Sequence, residues 1–169
     1  MEGSTAMNSH YNVLFLCTGN SARSIMAEAL LNHKSGGSFT AYSAGSHPTG
    51  APRPEALRQL KDAGISIDGL RSKSWNEFSA PDAPHLNFVF TVCDNAANEA
   101  CPYWPGQPMT AHWGIPDPAA VKGTPEEIAR AFREAFVILD RRIGLFLALP
   151  IATLEHLALQ KEINKIGKS

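Results

Sequence analysis

The chain has 169 residues, a formal net charge of -1, 44% hydrophobic residues and 18% charged residues. That length suits one domain with a sizeable core, and the composition excludes an intrinsically disordered polypeptide. The charge balance excludes a broad nucleic-acid-binding surface, so an anionic substrate must be held by a local site.

Residues 1–8 read as an expression remnant or disordered lead-in, with Met7 as the expected native start. No apolar run approaches the roughly 18 residues of a membrane helix, and no secretory signal precedes the first expected strand. Tyr11 to Leu16 reads as a strand and Ser24 to Lys34 as a helix, closed by Ser35-Gly36-Gly37. Phe39 to Ser43 is a second expected strand, followed by the turn-rich stretch Ala44 to Gly50. Pro54 to Ala63 reads as a helix with Leu57 and Leu60 on one face and Gly64 as its stop. Asn87 to Val92 is a short apolar run that suits a buried parallel strand, and Met109 to Trp113 a fourth strand.

Thr124-Pro125-Glu126-Glu127 is a strong helix start: a capping threonine, a proline in the first turn and early acids. Ile128, Phe132, Ala135, Phe136, Leu139, Ile143 and Phe146 then form one apolar stripe at helical spacing. Pro150 interrupts, and a last amphipathic helix is expected from about Ile151 to Ile166. Residues 9–150 are therefore expected to form the catalytic domain and residues 151–169 a C-terminal helical extension. Strands alternating with helices predict an α/β fold with a parallel sheet, whose sites lie at the carboxyl ends of strands. Cys17 and Cys93 both fall there.

The loop Cys17-Thr18-Gly19-Asn20-Ser21-Ala22-Arg23-Ser24 carries the main chemical signal. Small residues let such a loop curl so that successive N–H groups point inward, toward an anion. The following helix start adds partial positive charge, and Arg23, six positions after the cysteine, offers a planar two-pronged donor. A cysteine in that field is expected to ionise readily, its pKa falling from ~8.5 into roughly the 3.5–7.5 range. Lysine could not replace Arg23 with the same geometry. Ser24 is expected either to donate to the Cys17 thiolate or to cap the helix.

Asp117, in Trp113-Gly-Ile-Pro-Asp117-Pro118, is flanked by prolines that hold it extended, which suits a positioned general acid. Cys93 and Cys101 are separated by seven residues, without the spacing of zinc ligands. They read either as a dithiol that closes after a local rearrangement or as two unrelated thiols. Three cysteines do not make a secreted disulfide framework, so reduced thiols in a cytoplasm are expected.

From about Asn12 to Gly144 the sequence resembles the arsenate reductases built on the low-molecular-weight protein tyrosine phosphatase fold. The resemblance rests on Leu14 to Ala29, then Tyr42-Ser43-Ala-Gly45, Ala63-Gly64-Ile65, Ser72-Lys73-Ser74, Phe90-Thr-Val-Cys93, Cys101-Pro102 and His112 to Ala119. The Cys93/Cys101 pair and His112-Trp113-Gly favour the reductase branch. The phosphatase branch typically has an aromatic residue where this chain has Ala119, and often a tryptophan after the position of Gly45. The resemblance implies a three-layer sandwich with a four-stranded parallel sheet flanked by helices.

It also implies a thiol cascade. Cys17 attacks arsenate held by residues 18–24, Asp117 assists loss of an oxygen, Cys93 attacks Cys17, and Cys101 then takes over the disulfide. Thioredoxin is the implied reductant, with glutathione and glutaredoxin as the other option. The alternative is a phosphatase that hydrolyses phosphotyrosine through a Cys17 phosphoenzyme, and a non-enzymatic oxyanion-binding or redox-sensing module is a third reading. No cofactor is implied. Some relatives hold a potassium ion near the positions of Asn20, Glu28 and Ser43. Here Lys73 is expected to supply that positive charge, so no metal is expected.

Overall fold

The computed structural model describes residues 10–93, 104 and 107–169. Its elements are β1 (Tyr11–Leu16), α1 (Arg23–Lys34), β2 (Phe39–Ala44), α2 (Pro54–Asp62), β3 (Phe88–Thr91), β4 (Met109–His112), α3 (Pro125–Leu147) and α4 (His156–Ile166). Short 3-10 turns lie at Trp75–Phe78, Pro118–Ala120 and Ile151–Thr153. The four strands form one parallel sheet in the order β2-β1-β3-β4. The sheet has the expected α/β architecture.

This order sends the chain from β1 to one side and then back across it to the other. The reversal falls between β1 and β3, so the crevice for a ligand opens beyond the carboxyl ends of those two strands. Cys17 follows β1 directly and Cys93 lies two residues past β3.

The strands are apolar on both faces. Val13 and Phe15 face a core containing the buried residues of all four helices, among them Met26, Leu30, Leu60, Phe132, Leu139 and Ile163. Leu14 and Leu16 face the opposite way, onto Phe78, Leu86, Val89 and Trp104. The larger core is built around aromatic rings. Phe90 and Trp113 stack with centroids 4.1 Å apart, and Phe146 of α3 meets both edge-on. Such pairs add about 0.5–1.5 kcal/mol each beyond the area they bury.

Helix α3 begins as the sequence predicts. Thr124 accepts from the Glu127 N–H, and the Glu127 carboxylate accepts from the Thr124 N–H, a reciprocal capping box. Helix α4 begins five residues later than expected. After the turn at Ile151–Thr153, Leu154 and Glu155 are extended, at ψ 139° and 155°, so the helical path restarts at His156. Residues 1–8 lie outside the described part of the chain. Among the described residues no helix is long and apolar enough to cross a membrane.

Candidate active site

The loop after β1 is held in place by bonds made from outside it. The Thr18 carbonyl accepts from the His47 N–H at 2.9 Å, Gly19 from the Thr49 N–H at 3.0 Å, and Ser21 from the Arg53 N–H at 2.7 Å. The Ser72 hydroxyl donates a second bond to the Gly19 carbonyl, at 3.2 Å. With the Thr18 carbonyl drawn outward, the N–H on the same peptide plane, that of Gly19, turns inward. The Gly19 N–H donates to the Cys17 sulfur, and the Thr18 N–H donates to Cys93 Sγ at 3.2 Å. Asn20 adopts the left-handed conformation, φ 46°, that lets so short a loop close.

Gly45, just past β2, permits this closure. A Cβ there would lie 2.4 Å from the Thr18 carbonyl oxygen and 2.6 Å from that of Cys17. Any side chain at position 45 would displace the loop.

Beneath the loop lies a polar cluster. The buried Asn20 side chain donates to Ser24 Oγ at 2.8 Å and accepts from the Lys73 N–H at 2.9 Å. The Ser43 hydroxyl donates to the Glu28 carboxylate, and the Lys73 ammonium lies 3.9 Å from the same oxygen while donating to the Arg71 carbonyl. Burial raises Glu28 above the usual carboxylate range, opposed by the Ser43 bond and by Lys73. Burial lowers Lys73, and Glu28 opposes that shift. The Lys73 ammonium thus sits beside the Glu28 carboxylate that accepts from Ser43, while the Lys73 backbone N–H bonds to Asn20.

Arg23 bridges the loop and the segment after β4. Its Nη1 donates to the Ile115 carbonyl at 3.0 Å, and its Nη2 lies 3.6 Å from Asp117 Oδ2. Its Nε is buried without a hydrogen-bond partner, which leaves one strong donor for an anion. Asp117 is extended, as its prolines require, and its Oδ1 caps the 3-10 turn by accepting from the Ala119 N–H. Cys17, Arg23, Cys93 and Asp117 therefore converge on the anion loop. Ser24 does not cap α1, whose N-cap residue Ala22 makes no side-chain bond. His112 pairs across the sheet, its Nδ1 lying 2.7 Å from Thr91 Oγ1. Cys101 lies outside the described residues.

One expectation is overturned. Cys17 is pushed up from the ordinary thiol range, not down. Its sulfur is in hydrogen-bonding contact with Cys93 and buried, and these effects outweigh Arg23 and the Gly19 amide. A local motif encodes the stabilising donors, but a thiol brought in from a distant strand decides the balance.

Residues 12–162 match the low molecular weight phosphotyrosine protein phosphatase family, and the chain belongs to it. An arsenate reductase of Bacillus licheniformis is 37% identical over 135 residues, covering 79% of this chain and 93% of the relative. One from Bacillus subtilis is 38% identical over 115 residues, covering 68% and 79%. Among solved structures, a thioredoxin-dependent arsenate reductase of Corynebacterium glutamicum aligns with TM-score 0.54 and 27% identity, covering 85% of this chain and 66% of that one. A low molecular weight protein tyrosine phosphatase of T. tengcongensis aligns with TM-score 0.61 and 27% identity, covering 79% and 98%.

Sequence reasoning missed two contributors to the site, Arg142 and the Ile115 carbonyl. Arg142 had a readable signal. It lies three residues after Leu139 and four before Phe146, inside the apolar stripe of α3, where a charge needs a buried purpose.

Proposed function

We propose that the chain is an arsenate reductase that works by a thiol and disulfide cascade. The observation that carries this reading is Cys93 Sγ accepting from the Thr18 amide of the anion loop while touching the nucleophile's sulfur. Hydrolysis of a phosphate ester needs no second thiol there. Reduction does, because an electron pair must reach the arsenic. The arsenate reductases among the relatives support the same substrate.

The Cys17 thiolate attacks arsenic, and one oxygen leaves as water, with Asp117 delivering a proton. The Cys93 thiolate then attacks Cys17 Sγ. The sulfur–sulfur bond forms, the sulfur–arsenic bond breaks, and its electron pair stays on arsenic, which departs as arsenite. Cys101 attacks Cys93 in turn, releasing the Cys17 thiolate and leaving a Cys93–Cys101 disulfide. An external dithiol reduces that bond. Thioredoxin is the proposed donor, supported by the thioredoxin dependence of the Corynebacterium relative, with glutathione and glutaredoxin as the alternative.

In this scheme the loop amides and Arg23 hold the tetrahedral anion. The first attack requires Cys17 as its thiolate, so a proton must leave the Cys17–Cys93 pair before Cys17 acts. No resident metal or cofactor is proposed, and a reducing cytoplasm is the proposed compartment.

Phosphotyrosine hydrolysis through Cys17 is the competing reading, favoured by the pairing of Arg23 with Asp117 at the loop rim. The Cys93→Ser chain separates them. Reductase function predicts that arsenate turnover with a thioredoxin recycling system collapses, while any aryl phosphate hydrolysis persists. Unchanged arsenate turnover would remove Cys93 from the mechanism. A binding module would show neither activity and still retain arsenate or phosphate at equilibrium.

A further inference from the structure

The segment after Pro150 does more than cover the sheet. Helix α4 lies against β4, with Leu159, Ile163 and Ile166 in the main core. Its Gln160 side chain donates to the Thr110 carbonyl of the edge strand at 2.9 Å. The Trp113 indole N–H donates to the Ile163 carbonyl at 3.0 Å. Gly167 sits so close to β4 that a Cβ there would lie 2.2 Å from the His112 carbonyl oxygen.

Arg142 ties these parts together from α3. It is buried, 6% exposed, and has no Asp or Glu side-chain partner among the described residues. Its Nη1 instead donates to the Trp113 carbonyl at 2.8 Å and the Gly114 carbonyl at 3.2 Å. Its Nη2 donates to the Ser169 backbone oxygen at 3.2 Å. One guanidinium thus fastens the exit of β4 to the chain beyond α4. The next residue, Ile115, supplies the carbonyl that holds Arg23, and Asp117 follows two positions later.

We propose that Arg142 and the backbone of α4 form a clamp that sets the Trp113–Ile115 segment, and through it places Asp117 over the anion loop. Arg142 is a positioning residue, not a catalytic one. A buried charge spent on three backbone oxygens fixes a backbone path that glycine at 114 would otherwise leave loose. The clamp rests on the reductase reading only in the task given to Asp117.

The test measures arsenate turnover with saturating thioredoxin recycling in the full chain. Arg142→Lys keeps the charge but loses the fork, and Gly167→Ala pushes α4 off the His112 carbonyl while leaving Arg142 intact. Each is made in the wild-type and Asp117→Asn backgrounds, with thermal melting as the check on folding. Either change is expected to lower kcat about 10-fold in the wild type, with a smaller change in KM, because misplacement of about an ångström far from the chemistry is costly. In the Asp117→Asn background the same changes should cost less than about three-fold, since coupled residues are not additive. Equal losses in both backgrounds, or unchanged kcat for both folded variants, would overturn the clamp alone. Wild-type turnover that Asp117→Asn leaves unchanged would overturn the acid assignment and the clamp with it. A wild-type chain without turnover would overturn the reductase reading.

Discussion

Two loops meet at the carboxyl end of this sheet, and they are held by different means. The anion loop, Cys17 to Ser24, is fastened by backbone groups and short side chains close around it: His47, Thr49, Arg53, Ser72 and the buried Asn20. The segment from Trp113 to Asp117 is fastened by a guanidinium from α3 and by carbonyls in and beyond α4. Both loops are braced by residues distant in sequence, but the anion loop carries its nucleophile, arginine and amides in one short motif, so it can be recognised from a dozen residues. The contacts that brace the second segment carry no such motif and can be recognised only when the fold is known.

The largest effect is expected where the first loop is braced most closely. Gly45→Ala puts a methyl group within 2.4 Å of the Thr18 carbonyl oxygen. Arsenate turnover should fall about 100-fold, the cost of shifting the reacting groups by about an ångström. Steady-state kinetics on the folded variant would check it, and wild-type turnover would show that the loop closes without a glycine at 45.

The polar cluster beneath the same loop gives the next effect. Lys73→Met leaves the buried Glu28 carboxylate without its ammonium neighbour, now 3.9 Å away. Removing one member of a buried pair costs about 3 kcal/mol, read as a lower midpoint in urea at neutral pH. Glu28→Gln added to Lys73→Met should recover most of it. For the wild type, equal rates in potassium and sodium buffers are expected, because the positive charge belongs to the chain.

These two effects also mark what the sequence could and could not reveal. The Cys17 to Arg23 spacing, the strand before it and the helix behind it are contiguous, so the nucleophile, its arginine and its amides were legible. The prolines around Asp117 likewise announced its extended backbone. The parallel sheet, with Cys17 and Cys93 at the carboxyl ends of its strands, followed from the alternation of strands and helices. Arg142 was not picked out because its three acceptors lie 27 to 29 residues away in sequence, although its place in an apolar stripe was visible. The late start of α4 was hidden for a related reason. Leu154 and Glu155 carry no breaker residue, and their extended backbone follows from how the chain docks.

The ionisation of Cys17 failed as an expectation on the same ground, and it supplies the smallest effect. Cys93 raises the Cys17 thiol, so removing that sulfur lowers it. A thiol reacts as its thiolate, present above its pKa and lost as pH falls through it. Cys93→Ser should therefore move the pH profile of Cys17 alkylation by iodoacetamide to lower pH than in the wild type. An unshifted or upward-shifted profile would mean that burial alone, not the neighbouring sulfur, sets the Cys17 thiol.

The account turns on sulfur passing electrons to arsenic through Cys93, and peptide mapping after one turnover tests that most directly. Reduced protein is mixed with one equivalent of arsenate without recycling reductant, quenched by alkylation and analysed by mass spectrometry. We predict a Cys93–Cys101 disulfide with free Cys17 in the wild type, and a Cys17–Cys93 disulfide in Cys101→Ser. Arsenite released with Cys93 fully alkylated in both chains would contradict the account.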